Sequence, residues 1–230
     1  MRGRVVVAVV VALVVLVGGA FVADGVARGS TEQRIAGDVQ AQLPGLGTPP
    51  EVTIGGFPFL TQVLAGRLDD VRLTAPTLVV EGLRLEDVDV RLTGVSTAVP
   101  TTAEHAAMTA TASLASIEDV LDAPVDLAIE DGHLVTSVKL LGLLELEAVL
   151  VPRPEGRSIT VDIESVAVEG RTISVSDLPD VVTDQLNRLS IPVGLPEGME
   201  LTAVELTADG ALLQAEGDDI VFDEVAVGPE

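Results

Sequence analysis

The sequence predicts an α+β protein: a strongly curved antiparallel β-sheet with amphipathic helices against its concave face, preceded by an N-terminal transmembrane helix. Three observations predict this. Nineteen uncharged residues run from Val5 to Ala23 and stop at Asp24, near the length a helix needs to cross a bilayer. Most of the later chain alternates apolar and polar residues with period two, while a few short stretches have helical spacing. Three segments also share one interrupted alternation: Leu83, Leu85, Val88, Val90; Val161, Ile163, Val166, Val168; and Met199, Leu201, Val204, Leu206. A step of three flips a strand's inward face unless a β-bulge absorbs one residue. Bulges repeated at similar places bend a sheet strongly.

In chain order, Arg2 and Arg4 precede the apolar run and predict a cytoplasmic N-terminus with the body outside. A cleaved signal peptide is the competing reading, because Gly18-Gly-Ala20 offers small residues for cleavage. Both readings export the body, and without a following cysteine there is no lipoprotein anchor. Residues 1–23 are therefore read as the membrane anchor or signal segment, 24–30 as a linker and 31–230 as an extracytoplasmic domain. Ser30-Thr-Glu-Gln33 reads as a capping box opening a helix with Ile35, Val39 and Leu43 on one stripe. Pro44-Gly45 ends it.

Residues 51–73 read as strand, short apolar helix, strand. Val52 and Ile54 alternate with Glu51 and Thr53, and Gly55-Gly56 stops the strand. Pro58 suits a helix's first turn; Leu60, Val63 and Leu64 follow at helical spacing and Gly66 closes the helix. Val71 and Leu73 resume period two. Phe57 and Phe59 are two of only four phenylalanines in a chain without Trp or Tyr. Half the aromatic bulk therefore sits on one turn. It serves either as a core plug or as the wall of an apolar cavity, and the residues alone leave both open.

Further strands are expected at about 77–81, 83–95, 105–114, 125–130, 133–141, 143–151, 158–175, 199–208, 211–216 and 219–227. Asp131-Gly132 and Asp209-Gly210 are hairpin turns between alternating runs. Ser116-Ile-Glu-Asp119 reads as a capping box opening a short helix to Leu121, and Asp177 and Pro179 start a longer one carrying Val181, Val182, Leu186 and Leu189.

The stretch Gly55-Gly-Phe-Pro-Phe-Leu-Thr-Gln-Val-Leu-Ala-Gly-Arg-Leu-Asp-Asp-Val71 resembles the hallmark of the LmeA-like phospholipid-binding proteins of actinobacterial cell envelopes. A second, weaker match lies in Leu195-Pro-Glu-Gly-Met-Glu-Leu-Thr-Ala-Val-Glu-Leu-Thr-Ala-Asp-Gly-Ala-Leu212. The resemblance covers about residues 30–225 and implies a phospholipid as partner, with a role in envelope lipid or lipoglycan maintenance.

Charge and composition narrow the chemistry. With 36 acidic and 13 basic residues the net charge is −23. Such a surface repels nucleic acid and anionic headgroups alike, so no nucleic-acid partner is expected and membrane work needs a tether or an apolar entry. There is no cysteine for a thiolate nucleophile or metal site. His105 and His133 lack partners at metal-ligand spacing and read as solvated strand residues. The acidic clusters Glu86-Asp87-Asp89 and Glu216-Asp218-Asp219 could ligate calcium through oxygen but read as solvated charge. No nucleophile elbow, phosphate loop or zinc helix occurs. Neither a cofactor nor catalysis is expected.

Arg67 is the basic residue placed to hold a phosphate, since a guanidinium binds it bidentately; otherwise it complements the helix C-terminus. The expected function is an envelope-associated, single-pass membrane protein that holds or transfers phospholipid acyl chains in an apolar cavity. The candidate lipid-binding residues are Phe57, Phe59, Leu60, Val63, Leu64 and Arg67. The alternative is an exported structural or interaction domain with a fully packed core.

Overall fold

A computed structural model describes residues 2–121, 126–140, 144–168, 171–173 and 190–222, with side chains described from Phe21 onward over most of them. The first element, α1 (Arg2–Gln42), is one helix. It runs through residues 24–30, where a linker was expected, and Ser30 does not cap it. The Thr31 hydroxyl instead donates to the Ala27 carbonyl at 3.0 Å, one turn back, as threonines inside helices do. Packing explains the continuity: Ala27, Ile35 and Ala36 lie against a buried cluster, and Val39 against a second one. The side chains of the apolar run up to Ala20 lie outside those described. Among the described residues no helix is long and apolar enough to cross a membrane.

After α1 come β1 (Glu51–Ile54), α2 (Phe59–Ala65), β2 (Arg67–Val80), β3 (Leu83–Ser96), β4 (Thr101–Ser113) and α3 (Leu114–Leu121). They are followed by β5 (Asp126–Glu130), β6 (His133–Leu140), β7 (Leu144–Glu155), β8 (Ser158–Val168), β9 (Arg171–Ile173), β10 (Ser190–Pro192), β11 (Met199–Leu206) and β12 (Gly210–Phe222). The helix expected over 177–189 lies outside the described residues. The expected curled antiparallel strands are present, but they divide between two sheets. The first has the order β1-β2-β3-β4-β12-β11; the second has β10-β8-β7-β6-β5, with β9 beside β8. The second sheet is thus inserted in the chain between the first four and the last two strands of the first. Both stretches that carry the family resemblance fall in the first sheet.

The three interrupted alternations are bulges. On β3, Glu86 pairs with Thr111 and Asp89 with Thr109, leaving Asp87 and Val88 opposite one residue. Asp87 takes up the extra step at φ +50°, and Leu83, Leu85 and Val88 all stay buried. On β8 the register skips Glu164 between Ile163 and Ser165; on β11 it skips Thr202 between Leu201 and Ala203. Each skip falls inside the step of three seen in the sequence.

Other boundaries differ from expectation. β2 starts directly after Gly66 and passes through Pro76 without a break. Pro76 sits at an unpaired position between Ala75 and Thr77, opposite the bulge residue Asp87, where its missing N–H costs no ladder bond. β12 is one strand rather than two, and β10 had no signal. α3 begins two residues before Ser116. The buried Ser116 hydroxyl accepts from the Arg84 N–H at 2.7 Å and donates to the Arg84 carbonyl at 3.0 Å, so it ties α3 to β3 instead of capping.

The main core lies on the inner face of the first sheet. Its middle strand, β4, buries Ala103, Ala106, Ala110 and Ala112; small side chains suit a sheet curling around its contents. Ile117 of α3 and Ile191 of β10 close over this face. A second cluster of Val52, Ile54, Phe59, Leu68, Val71, Val95 and Ala103 receives α1 and α2. Leu92 and Phe222 border both clusters, so the buried face is continuous. A smaller cluster of Leu134, Ala148, Leu150 and Val166 belongs to the second sheet.

Candidate functional site

The hallmark stretch builds a short helix clamped at every turn. Gly56, at φ +78°, swings the chain out of β1, and Gly66, at φ +77°, returns it to β2. The Gly66 N–H donates to the Gln62 and Val63 carbonyls, the αL closure that glycine allows. Pro58 occupies the N-cap position rather than the first turn and offers no side-chain cap. The cap comes from α1. Asp24 Oδ2 accepts the Phe59 N–H at 3.1 Å and Oδ1 accepts the Leu60 N–H at 2.8 Å.

Two further α1 residues, each one turn on, complete the grip. Arg28 pairs with Asp24 at 3.5 Å and donates to the Gly56 carbonyl at 2.7 Å. Glu32 Oε1 accepts the Ile54 N–H at 2.8 Å. The Leu60 N–H holds the Asp24 carboxyl below the ordinary carboxylate range; burial opposes this, and the Phe59 N–H and Arg28 reinforce it. Beneath α2, buried Gln62 donates from Nε2 to the Gly55 carbonyl at 3.1 Å and accepts the Asp69 N–H at 2.8 Å.

These clamps set which way α2 faces. Phe59, at 2% exposure, is a core plug packed into the second cluster. Leu60, Val63 and Leu64 point outward, Leu64 at 90% exposure. They do not line an enclosed cavity behind the helix, because the clamping residues Phe59 and Gln62 occupy its inner face. Phe57 is also exposed, and its ring stacks on that of Phe21 of α1 at 4.7 Å between centroids and 18° between planes. Of the six candidates, Phe57, Leu60, Val63 and Leu64 therefore share an outward apolar surface, Phe59 supports it from within, and Arg67 stands at its C-terminal border.

Arg67 is engaged. Its guanidinium forms a bidentate pair with the Glu104 carboxylate, Nη1 to Oε1 and Nη2 to Oε2. Nearby, Arg72 and Arg91 stand directly opposite each other on β2 and β3. Asp89 meets Arg72 at 2.5 Å and Asp70 meets Arg91 at 2.8 Å. Hydrogen bonding to these carboxylates, and their charge, raises both guanidinium pKa values. A phosphate approaching here meets cations already committed to carboxylates.

The acidic clusters and histidines are similarly dispersed. Asp218 bonds His105 at 2.9 Å, and His133 Nδ1 lies 3.2 Å from the Asp131 carbonyl. Among the described residues no three His, Cys, Asp or Glu side chains gather as a metal site. A depression of about 390 Å³ beside Pro49, Thr74, Pro76 and Asp89 is shallow and open, with polar and apolar walls.

A second apolar surface was missed by sequence reasoning. On the second sheet, Leu127, Ile129, Val161 and Ile163 are half-buried around its small cluster, and Leu206 of β11 joins them. Leu127 and Leu206 also touch the main core. They mark a seam of incompletely covered aliphatic side chains between the two sheets. The available signal was the alternation of β5 and, up to its bulge, of β8, which shows that one face is apolar without showing how fully it is covered.

Comparison with curated proteins and with solved structures finds no match. A family model, LmeA-like phospholipid-binding, matches residues 22–216, which span α2, both sheets and the seam between them. The chain belongs to the LmeA-like phospholipid-binding family.

Proposed function

We propose that this is an envelope-associated phospholipid-binding protein, tethered by its N-terminal helix with the body outside the cytoplasm, that holds or transfers lipid acyl chains. The observation carrying this reading is the half-buried aliphatic seam of Leu127, Ile129, Val161, Ile163 and Leu206 inside the region matched by the family. Burying each methylene of an acyl chain contributes roughly 0.8 kcal/mol. A sixteen-carbon chain along the seam then contributes on the order of 10 kcal/mol before ordering losses. Contact with hydrocarbon then supplies the attraction on a protein whose −23 charge repels anionic headgroups. Such a protein serves the upkeep of envelope lipids or lipoglycans.

The alternative, a packed exported domain without ligand, draws on the closed core of the first sheet, where Leu83, Ala106, Leu213 and Ile220 have no exposed surface. Mass spectrometry of organic extracts separates the two. The purified chain should carry stoichiometric phospholipid, and Ile163→Glu should lose it while remaining folded. A lipid-free wild-type protein favours the packed domain.

A further inference from the structure

The outward face of α2 requires a covering that the seam does not provide. α2, Phe59-Leu-Thr-Gln-Val-Leu-Ala65, carries no charge in a chain with 36 acidic residues. Its exposed Leu60, Val63 and Leu64 adjoin Phe57, whose ring lies on Phe21; Val22 beside it is 68% exposed. Phe21 and Val22 are also the last large side chains of the apolar run that begins at Val5, within the same helix. Nineteen residues of helix measure about 28 Å, close to the hydrocarbon thickness of a bilayer. The patch on the body therefore continues the apolar surface of a segment whose length matches that thickness. Asp24, the first charge after that run, is turned inward to cap α2 and pairs with Arg28, so its carboxylate is not exposed at the junction.

We propose that Phe21, Val22, Phe57, Leu60, Val63 and Leu64 form one apolar foot that enters the boundary between headgroups and hydrocarbon of the bilayer. The foot rests on the membrane attachment proposed above but not on lipid storage in the seam. Insertion runs through apolar contact, since the cations at its border, Arg28 and Arg67, are paired with Asp24 and Glu104. The buried Asp24 and Gln62 bonds hold α2 rigidly to α1 and the sheet, so the foot is preformed.

The chain has no tryptophan or tyrosine, so Leu64→Trp introduces a single fluorophore at a site whose 90% exposure tolerates it. Val79→Trp is the control, twelve residues along β2 from Arg67 and roughly 40 Å away along the strand. Each full-length variant is placed in phosphatidylcholine vesicles containing lipid brominated in the acyl chains. The expected result is a blue-shifted Leu64→Trp emission that loses most of its intensity to the bromines, an unquenched Val79→Trp, and loss of the quenching when Leu60→Glu is added. Equal quenching at both sites, or at neither, overturns the proposal. So does a Leu64→Trp emission that shifts with protein concentration in the absence of vesicles, since that identifies a second copy of the chain as the covering. Extracted lipid without quenching leaves seam binding standing and removes the foot; quenching without extracted lipid does the reverse.

Discussion

Asp24 is the residue on which the hallmark helix depends, and it lies outside the hallmark. Its carboxylate binds two N–H groups that Pro58 leaves without a cap, and the same bonds lower its pKa. A carboxyl whose folded pKa is lowered adds stability that is present above its ordinary value of 3.8 and is lost as the pH falls from there through the lowered value. Asp24→Asn should therefore be less stable than wild type at neutral pH, with the gap closing as both are acidified below pH 3.8. Chemical denaturation along a pH series measures it, and a gap that persists unchanged in acid contradicts the assignment. Residue-level roles were the hardest to read from sequence. Phe57 and Phe59 stand two positions apart and look alike, yet one is a core plug and the other an exposed stacking partner. Helical spacing grouped Leu60, Val63 and Leu64 correctly, but not whether they face inward or outward. That is decided by Gln62 and by Asp24, Arg28 and Glu32, whose spacing of four along α1 was the unused signal.

Elements were more legible, because a strand's periodicity is imposed by its own backbone. The interrupted alternations located three bulges, and Asp131-Gly132 and Asp209-Gly210 located two hairpins, since each feature needs only near neighbours. Errors arose where distant partners decide. Ser30 and Ser116 have the composition of capping residues, but packing extends the helix past each of them. β10 is three residues long, too short for a period. The bulge reading makes its own prediction. Inserting one alanine after Asp87 adds a residue that the bulge does not absorb, so Val88 and Val90 turn to the wrong face while Leu83 and Leu85 stay in register. The insertion variant should lose its cooperative thermal transition, whereas Asp87→Gly, which relieves the positive φ, should fold with equal or greater stability. Circular dichroism melts of the two compare them directly.

For the whole molecule, charge and apolar surface oppose each other. The net charge of −23 pushes the body from anionic lipid, while the foot and seam favour hydrocarbon. Vesicle binding by the full-length chain should not increase with the anionic lipid fraction at low salt, and added salt should not weaken it. Binding that rises with anionic lipid and dissolves in salt would overturn the apolar account. The division of strands between two sheets, unlike the curl of each, was not foreseen, because alternation says which face is buried and not which strands share a ladder. The pairing of β4 with β12, from Thr101↔Phe222 to Ser113↔Gly210, closes the first sheet over a span of the chain in which no local pattern announces it.

The unbroken course of α1 through residues 24–30 limits reach. A flexible tether of seven residues would let the body wander about 15 Å from its point of attachment. A helix gives no such slack, and the clamp of Asp24, Arg28 and Glu32 removes swivel as well. On a retained anchor the body would stand at one height above the membrane, like a fitting on a mast. Held in that way on the proposed anchor, the body would not carry lipid across an envelope, and any lipid it took up or released would be presented at that fixed station.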